Sequence, residues 1–499
     1  MDRQQISAIV ATMFSVTLLF IGAIPASGQV SFRDLDVSTL EYASPGYYLI
    51  APNAMDSFSV ADNYGKNMYK TEVGQHANVQ TYKNKWLTHY TTADNRPCFV
   101  RRDIFRNLID TLRASAPFQT DFHECKIITD SSFVVLGTED VIVNMSGIVP
   151  GGRTNAQVRD NIIQIRTFSG TTLFEWRSLD HVPVTDAVDA IDLQQPFIDY
   201  IHINSIEVDS DNNLIVSCRH LDEVLKINRQ NGSIMWRLGG TKSKHNEFTF
   251  LNDTTAGFVG FSHQHSVGRT RSGTLLMFDN GNLKPEPLLT RAVEYELDET
   301  AKTVRRVWQF RATPDIYAPT MGSAQEVENG NILIGWGSGS NNTVAHEVGR
   351  DGTVHVQIDN PTMNGFTAYR VVKTTILMTG VYKRLTATGT TTFSTSDSTT
   401  HLAVNLSRVT DTTSAIAERH MYAPHNITFP TTGPCAVLPM RWVFRIEDTT
   451  LIAGTMTFDL GNVPGVMFPN QIKLFHRVNE GIGQFNQVTT TYNASTKKL

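Results

Sequence analysis

Two short segments of the sequence end on tryptophan in the same way and decide the fold class: GTTLFEW at residues 170–176 and NGSIMW at residues 231–236. Each begins at a glycine turn and continues as a β-branched and apolar run, which predicts strand, turn, strand units. Residues 275–308 and 332–354 repeat this order. Repeated sheets spaced some tens of residues apart predict a β-propeller, because each blade buries its faces only against neighbouring blades.

The flanks of this repeated region predict smaller β segments. We expect an all-β protein with its propeller at residues 93–384 and accessory segments at one or both ends. Residues 29–92 either form a small domain or complete the first blade. The Thr- and Ser-rich stretch 385–415 predicts a linker, and 416–499 a C-terminal β segment. Helical periodicity is convincing only over 102–115.

The composition is that of a globular protein. The 499 residues are 40% hydrophobic and 18% charged, with a formal net charge of −5. This charge gives no electrostatic reason to expect a nucleic acid as partner. The length exceeds one ordinary core and implies either several domains or one large repeated β architecture.

The N-terminus predicts an exported protein. Residues 6–25 carry no charge and lead into Ala26-Ser27-Gly28, the pattern of a signal peptide over residues 1–28. We therefore expect a secreted, extracellular protein. The alternative is a membrane anchor through an uncleaved N-terminus, although Ser7 and Thr12 dilute the apolar run. No other segment is apolar enough to cross a bilayer, so we expect no stable membrane insertion.

Two further features fit export. Seven N-x-[ST] sequons predict a glycoprotein. Four cysteines without zinc-finger spacing favour disulfide bonds over a metal site, and three pairings are possible. The sequons start at Asn144, Asn231, Asn252, Asn341, Asn405, Asn426 and Asn493, and the cysteines are Cys98, Cys125, Cys218 and Cys435.

Polar side chains interrupt two apolar strands. His202 and Asn204 lie two residues apart in DYIHINS and share one face of a strand. They are either a satisfied core pair or part of a site. Arg219 ends the apolar run IVSCR, and its guanidinium suits bidentate recognition of sulfate or phosphate, with a structural ion pair as the alternative.

Three further segments contribute imidazoles. His263 and His265 alternate in SHQH, where they are able to bind metal, to act as acid and base, or to provide a nucleophile. His123 in DFHE and His181 in SLDH are additional candidates. Taken singly, either of the last two is more simply an ordinary hydrogen-bonded histidine.

The ordered series of these motifs resembles the arylsulfotransferase family. The run DYIHINSIEVDSDNNLIVSCRHLDEVLKINRQNGSIMWRLGG at residues 199–240 carries H-x-N-S, S-x-R-H and W-x-L-G in that order. The resemblance continues through FSHQH at 261–265, FDNG at 278–281 and GSAQEVENGNILIGWG at 322–337. It covers about residues 121–372.

This resemblance implies a six-bladed propeller whose funnel holds a transiently sulfated histidine. The family's Q-H element places that nucleophile at His265. The other catalytic positions fall on His202, Asn204, Arg219 and an earlier histidine, for which His123 is the better match and His181 competes. We place Arg219, Asn204, His263 and His181 among the substrate-binding residues.

The expected activity is that of a nucleotide-independent, ping-pong aryl-sulfate sulfotransferase. Its small-molecule partners are an aryl sulfate donor and a phenolic or other hydroxyl acceptor, and we expect no cofactor and no metal. No G-x-x-x-x-G-K-[ST] phosphate loop is present. The alternative is a catalytically inactive, secreted β-propeller binding module. A metal-dependent hydrolase ranks last, because no clear metal-ligand spacing includes a carboxylate.

Overall fold

The computed structural model divides the chain into two compact units, one of residues 33–374 and one of residues 1–32 with 375–499. It is an all-β protein. The residues that the structure describes are 6–11, 35–40, 43–44, 46–52, 59–63, 65, 67–70, 78–83, 85–103, 107–360, 367–375, 378–395, 399–421, 428–429, 437, 440–446, 448–461, 471–478 and 483–499.

In its described part, the unit 33–374 contains six sheets built on four antiparallel strands each, numbered here by position along the chain. Sheet 1 consists of Ala368–Thr374, Tyr47–Pro52, Ser59–Ala61 and Asn67–Lys70; sheet 2 of Val79–Tyr82, Trp86–Ala93, Arg96–Asp103 and Leu108–Leu112; sheet 3 of Gln119–Thr129, Ser132–Val143, Ala156–Thr167 and Thr172–Arg177. Sheet 4 consists of Ile203–Val208, Leu214–Cys218, Glu223–Ile227 and Ile234–Gly239; sheet 5 of His265–Arg269, Leu275–Asp279, Arg291–Asp298 and Thr303–Phe310; sheet 6 of Ser323–Glu326, Ile332–Gly335, Thr343–Val348 and Val354–Asp359.

Short elements complete this unit. Phe197–Ile198 joins sheet 3, Thr249–Phe250 joins sheet 5, Asp36–Leu40 joins sheet 6, and Thr254–Thr255 pairs with Phe258–Val259. Its helical turns are the α-helix Ser178–His181 and the 3₁₀ turns Met145–Gly147, Val184–Asp186 and Arg219–Leu221.

The first strand of each sheet contacts the first strand of the next, from sheet 1 through sheet 6 and back to sheet 1. Sheet 1 joins two distant parts of the chain, since Ala368–Thr374 pairs with Tyr47–Pro52. Residues 47–70 therefore belong to the same sheet system as residues 79–359.

Apolar side chains of neighbouring sheets pack against each other, which explains the repeat seen in the sequence. Ile163 of sheet 3 and Val216 of sheet 4 share one buried cluster, and Val224 of sheet 4 and Met277 of sheet 5 share the next. Trp176 is buried and donates from Nε1 to the carbonyl oxygen of Gly232, 3.0 Å away in the turn of the following sheet. The repeated tryptophan thus links one sheet to the next.

The predicted helix over residues 102–115 is wrong. Strands Arg96–Asp103 and Leu108–Leu112 occupy the described part of this span and pair antiparallel. Leu108 and Ile109, expected on a buried helical face, are 59% and 46% exposed. Of the apolar residues that carry the helical spacing, Leu108, Ile109 and Leu112 lie in a single strand.

The second unit is also built from strands. One sheet has the order Met378–Leu385, Thr413–His420, Arg441–Ile446, Ile6–Ala11, Lys473–His476 and Asn486–Val488; the other has the order Gly389–Ser394, Thr399–Val409 and Ile452–Phe458. A 3₁₀ turn spans Thr449–Leu451. Side chains of both sheets, including Phe393 and Trp442, form a common core.

The linker predicted at residues 385–415 is therefore wrong, because most of this span is paired in strands. Leu402, Val404 and Leu406 alternate with more exposed residues and lie buried in the core of the second unit. Threonine is a good strand former, and the Thr-rich composition masked this alternation.

The described cysteines do not form the predicted disulfides. Cys98, Cys125 and Cys218 are buried free thiols, and Cys435 lies outside the described residues. A search of the described part of the chain finds no helix long and apolar enough to cross a membrane.

Candidate active site

The first strands of sheets 3, 4 and 5 lose their regular register where the predicted site residues lie. The pairing shifts just after Thr120 in sheet 3, between Ile203 and Ser205 in sheet 4, and just after His265 in sheet 5. A bulge leaves a residue unpaired and redirects its neighbours. The side chains at these three points are therefore directed by the bulges and not by the ordinary strand alternation.

The backbone beside the bulges is strained. His202, His263 and Ser266 have φ angles of +49°, +55° and +53°. Residues with a Cβ seldom occupy this left-handed region, and such conformations concentrate at functional sites. The strain supports a functional origin for this geometry.

His265 is held in one tautomer. Its Nδ1 lies 2.8 Å from Oδ1 of Asn280. The amide orientation of Asn280 is fixed, because its Nδ2 donates to the carbonyl oxygens of Ala318 and Met321 at 2.7 and 3.0 Å. Nδ1 of His265 therefore carries the proton and donates, which leaves the lone pair on Nε2. Among the hydrogen bonds of the described residues, none engages Nε2.

The imidazole of His265 is also kept neutral. Burial, followed by the positive charge of Arg219, holds its pKa well below the ordinary value. Charges on His202 and His123 act in the same direction. A buried neutral imidazole with a free Nε2 is able to act as a nucleophile.

Two more histidines are paired with aspartates. Nδ1 of His202 lies 2.6 Å from Oδ2 of Asp199, and Nδ1 of His123 lies 2.6 Å from Oδ1 of Asp121. The two imidazole rings are 4.8 Å apart in an edge-to-face arrangement. Burial lowers the pKa of His202, although Asp199 opposes the shift. Each aspartate orients its ring, so that Nε2 is available for proton transfer.

Arg219 supplies a cation without a charged partner. It lies in the 3₁₀ turn Arg219–Leu221, directly after the strand Leu214–Cys218. Its Nη1 is 2.8 Å from Nε2 of His220, and its Nη2 donates to the carbonyl oxygen of Pro319 at 3.2 Å. Burial lowers the pKa of Arg219 from its ordinary value of 12.5.

Asn204 is hydrogen-bonded to the residue that precedes His265. Its Nδ2 donates to the carbonyl oxygen of Gln264 at 2.8 Å. The carbonyl oxygen of Asn204 accepts from the Tyr369 hydroxyl at 2.5 Å and from Nη2 of Arg370 at 3.0 Å. Its amide proton donors thus hold the segment that carries His265. In this structure Asn204 has a positioning contact.

The structure brings together five of the predicted residues, with a sixth beside them. His263 is buried, its Nδ1 is 2.8 Å from Oδ1 of Asp222, and its ring centroid is 6.0 Å from that of His220. His181 is separate. It is exposed and stacks on Trp176, which lies on the outermost strand of sheet 3, with ring centroids 5.0 Å apart. Its described contacts include none of the other predicted residues. The five are His123, His202, Asn204, Arg219 and His265.

Several site residues were not predicted. Asp121 and Asp199 precede their histidines by two and three residues, and this short spacing was a detectable signal. His220 stood within the S-x-R-H motif. Asn280 and Tyr369 come from distant segments, and a single sequence contains no signal that places them beside His265.

One group of side chains has the donor set of a metal site. Asp199, His202 and His220 offer ligand atoms within 4.8 Å of one another, so a carboxylate does lie beside the histidines. The guanidinium of Arg219 is 2.8 Å from Nε2 of His220, however, and Nδ1 of the same ring is 2.5 Å from the carbonyl oxygen of Asp199. An adjacent cation and two occupied ring nitrogens oppose a divalent metal ion, and we do not assign these residues as ligands.

Comparisons with solved structures give low overall similarity. A protein of unknown function from Bacteroides caccae aligns with 66% of this chain and 99% of its own, at 11% identity and a TM-score of 0.44. Virginiamycin B lyase from Staphylococcus aureus aligns with 66% of this chain and 89% of its own, at 10% identity and a TM-score of 0.35.

Comparisons of sequence are more specific. "Arylsulfate sulfotransferase AssT" from Escherichia coli is 28% identical over 172 residues, which are 28% of this chain and 28% of the relative. The protein of the same name from Lelliottia amnigena is 28% identical over 171 residues, 29% of this chain and 28% of the relative. The chain thus spans little more than a quarter of the length of these relatives.

The family model for arylsulfotransferase (ASST) matches residues 128–371. This span contains His202, Asn204, Arg219 and His265, and it ends two residues after Tyr369. The match confirms the resemblance inferred from the motifs. Residues 128–371, just under half of the chain, are thus similar to the arylsulfotransferase family.

Proposed function

We propose that this protein transfers a sulfuryl group from an aryl sulfate to a phenolic or other hydroxyl acceptor through a sulfated His265. The observation that carries the proposal is the state of His265: a neutral ring with its proton fixed on Nδ1 by Asn280 and with Nε2 unengaged. The names of the related sulfotransferases support the same chemistry.

In the first half reaction, Nε2 of His265 attacks sulfur and the bond between sulfur and the aryl oxygen breaks. Negative charge spreads over the three sulfuryl oxygens in the transition state, by analogy with phosphoryl transfer. The guanidinium of Arg219 stabilises this charge, because no carboxylate in the described structure neutralises it. A protonated His202 donates its proton to the departing phenolate.

In the second half reaction, the acceptor hydroxyl gives its proton to His202 and its oxygen attacks sulfur. The bond between Nε2 and sulfur breaks, and His265 returns to the neutral Nδ1–H form. His202 is available as this base because it gave up its proton in the first half reaction, and Asp199 beside Nδ1 favours the protonated form that results, against the lowering of its pKa by burial. His123, with its ring 4.8 Å away, is placed to share the proton.

The fold that supports this site is, in our proposal, a six-bladed β-propeller. The cyclic contacts of the six first strands and the pairing of Ala368–Thr374 with Tyr47–Pro52 support it. In a propeller, a strand from the end of the domain often pairs with the first blade in this way and closes the ring. The candidate site then lies at one end of the central channel.

We also propose that the protein is secreted after cleavage near Gly28. Such cleavage removes the strand Ile6–Ala11 from its position between Arg441–Ile446 and Lys473–His476. N-terminal sequencing of secreted protein should give Gln29. Recovery of Met1 in a membrane fraction would identify an anchor instead.

The activity is tested by mixing purified protein with 4-nitrophenyl sulfate, with and without a phenol. We expect release of nitrophenolate, acceleration by the phenol and a sulfuryl adduct on intact protein. The adduct should map to a peptide containing residues 261–267. Protein that releases no phenolate and forms no adduct, yet binds aryl sulfates, is the inactive binding module.

A further inference from the structure

Arg219 differs from Arg291 and Arg370 in what surrounds its guanidinium. Arg291 bonds a carboxylate oxygen of Asp253 at 2.8 Å, and Arg370 bonds one of Glu124 at 2.9 Å. Arg219 has two uncharged hydrogen-bond partners, and in the described part of the chain Asp222 and Asp199 act on its charge only from beyond ion-pair distance. Its charge is held in place without being neutralised.

The hydrogen-bond directions around His220 are determined by its neighbours. A guanidinium is able only to donate, so Nε2 of His220 accepts from Nη1 of Arg219 at 2.8 Å. The ring proton is then on Nδ1, which donates to the carbonyl oxygen of Asp199 at 2.5 Å. Burial, with the charges on His202 and Arg219, lowers the pKa of His220 to about 3. The ring is therefore neutral.

Backbone hydrogen bonds also hold His220 in place. Its amide donates to the carbonyl oxygen of Ile201 at 3.1 Å, and its own carbonyl oxygen accepts from the amide of Val188 at 2.9 Å. The amide of Arg219 donates to the carbonyl oxygen of His202 at 3.0 Å. These bonds tie the Arg219 turn to the segment that carries the proposed acid and base.

A neutral acceptor has a chemical advantage at this position. A carboxylate in place of His220 would orient the guanidinium but also neutralise it, and would repel the sulfuryl oxygens. An apolar side chain would leave the charge intact but the guanidinium without its side-chain partner. Imidazole in the Nδ1–H form orients Arg219 and leaves its charge for an anion.

We propose that His220 is a positioning residue that holds the guanidinium of Arg219 toward the transferred sulfuryl group as a neutral hydrogen-bond acceptor. This inference rests on the proposed function and deepens it. His220 itself need not touch the substrate.

The test is a double-mutant cycle of wild type, Arg219→Met, His220→Leu and the double variant. Each protein is assayed for 4-nitrophenyl sulfate turnover and, by calorimetry, for binding of inorganic sulfate. Loss of the guanidinium orientation should lower kcat/KM by about 100-fold in His220→Leu. In the Arg219→Met background the same substitution should change either readout by no more than about threefold.

Two further variants separate orientation from charge, and they keep the test decisive if His220→Leu does not fold. His220→Gln retains an acceptor for Arg219 and a donor for the Asp199 carbonyl, so it should recover most of the activity. His220→Glu should lose more than His220→Gln in both readouts, because it neutralises Arg219. The matched control is His245→Gln, at a half-exposed histidine paired with Asp186, which should behave as wild type.

The outcomes are distinguishable. Additive effects of the two substitutions in both assays would overturn the inference, as would a His220→Glu variant as active as His220→Gln. A wild-type protein that binds sulfate with the expected coupling but never turns over the aryl sulfate would refute the proposed function and support the role of His220.

Discussion

Arg370 is a buried and Arg219 a part-buried arginine of the same unit, and their surroundings are opposite. Nη1 and Nη2 of Arg370 bond Glu124 at 3.1 and 2.9 Å, whereas Arg219 contacts His220 and a carbonyl oxygen. Arg370 lines a cavity of about 330 Å³ in which Lys126 is likewise paired with Glu207 at 2.5 Å. One region has matched charges, and the other holds an unmatched cation among neutral rings.

This difference shows where charge is structural and where it is available for chemistry. The paired ions join first strands of different sheets. Lys126 of sheet 3 pairs with Glu207 of the adjacent sheet 4, and Glu124 of sheet 3 pairs with Arg370 of sheet 1. A buried pair is costly to break but attracts a further anion weakly. The unmatched guanidinium of Arg219 is the better partner for a sulfuryl group.

The largest expected effect is at His265, in the region of Arg219. His265→Ala removes the nucleophile and should lower phenolate release by at least about 10⁴-fold and abolish the sulfuryl adduct. Intact-mass measurement after donor mixing at low temperature checks both. His263→Ala is the matched control and should still form the adduct, because His263 is bound to Asp222 through Nδ1 and is not the expected nucleophile. An adduct that persists in His265→Ala would contradict the assignment.

The next largest effect should appear in stability and not in chemistry. Arg370→Met leaves Glu124 buried without a partner, at a cost of about 3–5 kcal/mol in the free energy of unfolding. Urea unfolding measures it. Arg311→Met removes an exposed pair with Asp315 and should cost no more than about 1 kcal/mol. Equal losses of unfolding free energy in Arg370→Met and Arg311→Met would show that the buried Arg370–Glu124 pair contributes no more than an exposed pair.

Arg219→Lys keeps the charge but loses the planar fork of donors. Turnover should fall by about 10²–10³-fold, while the thermal unfolding midpoint stays near that of wild type. Steady-state kinetics and calorimetry on the same sample provide the comparison. Full activity of the lysine variant would show that Arg219 does not bind the sulfuryl group, and an unfolded variant would indicate a structural arginine.

His202→Ala should slow both half reactions by about 10²-fold without preventing the adduct. Proton donation matters most for a poor leaving group, so the loss should be larger with phenyl sulfate than with 4-nitrophenyl sulfate. The turnover rate is measured for both donors in wild type and in His202→Ala, and the fold-loss is compared between the donors. An identical loss for both donors would argue against His202 as the acid.

The smallest effect concerns pH. Because burial and Arg219 hold the pKa of His265 well below its ordinary value, the neutral form persists as pH falls. Adduct formation by His202→Ala, in which the other titrating group is absent, should change by less than about twofold between pH 7.5 and 6.5. If the rate of adduct formation fell with a midpoint near the ordinary histidine pKa of about 6.5, the pKa of His265 would not be lowered.

The sequence allowed a correct inference of the all-β class and of the spacing that joins His202, Asn204, Arg219 and His265. These features depend on local alternation and on short motifs. The apolar spacing of Leu108, Ile109 and Leu112 suggested a helix, but these three residues belong to a strand. The threonines around Leu402 concealed an alternation that buries every second residue.

The rest of the site depends on contacts between distant segments. Asn280 fixes the tautomer of His265 across a loop, and Tyr369 reaches the carbonyl oxygen of Asn204 from a strand 165 residues further along the chain. Bulges after Thr120 and His265 turn side chains away from the faces that strict alternation predicts. The sequence motifs therefore predicted the identity of the site residues, but not the direction of their side chains.

The pairing of Ala368–Thr374 with Tyr47–Pro52 has a consequence for biosynthesis. A nascent chain extended only to residue 360 already contains every histidine of the candidate site, yet lacks Tyr369 and Arg370, which hold Asn204 in place. The ordering of the nucleophile's support must therefore wait for the last strand of the unit to emerge and dock on one made some 320 residues earlier. The candidate site is therefore completed only after residues 368–374 have been made, so its histidines are synthesised well before Asn204 is held in place.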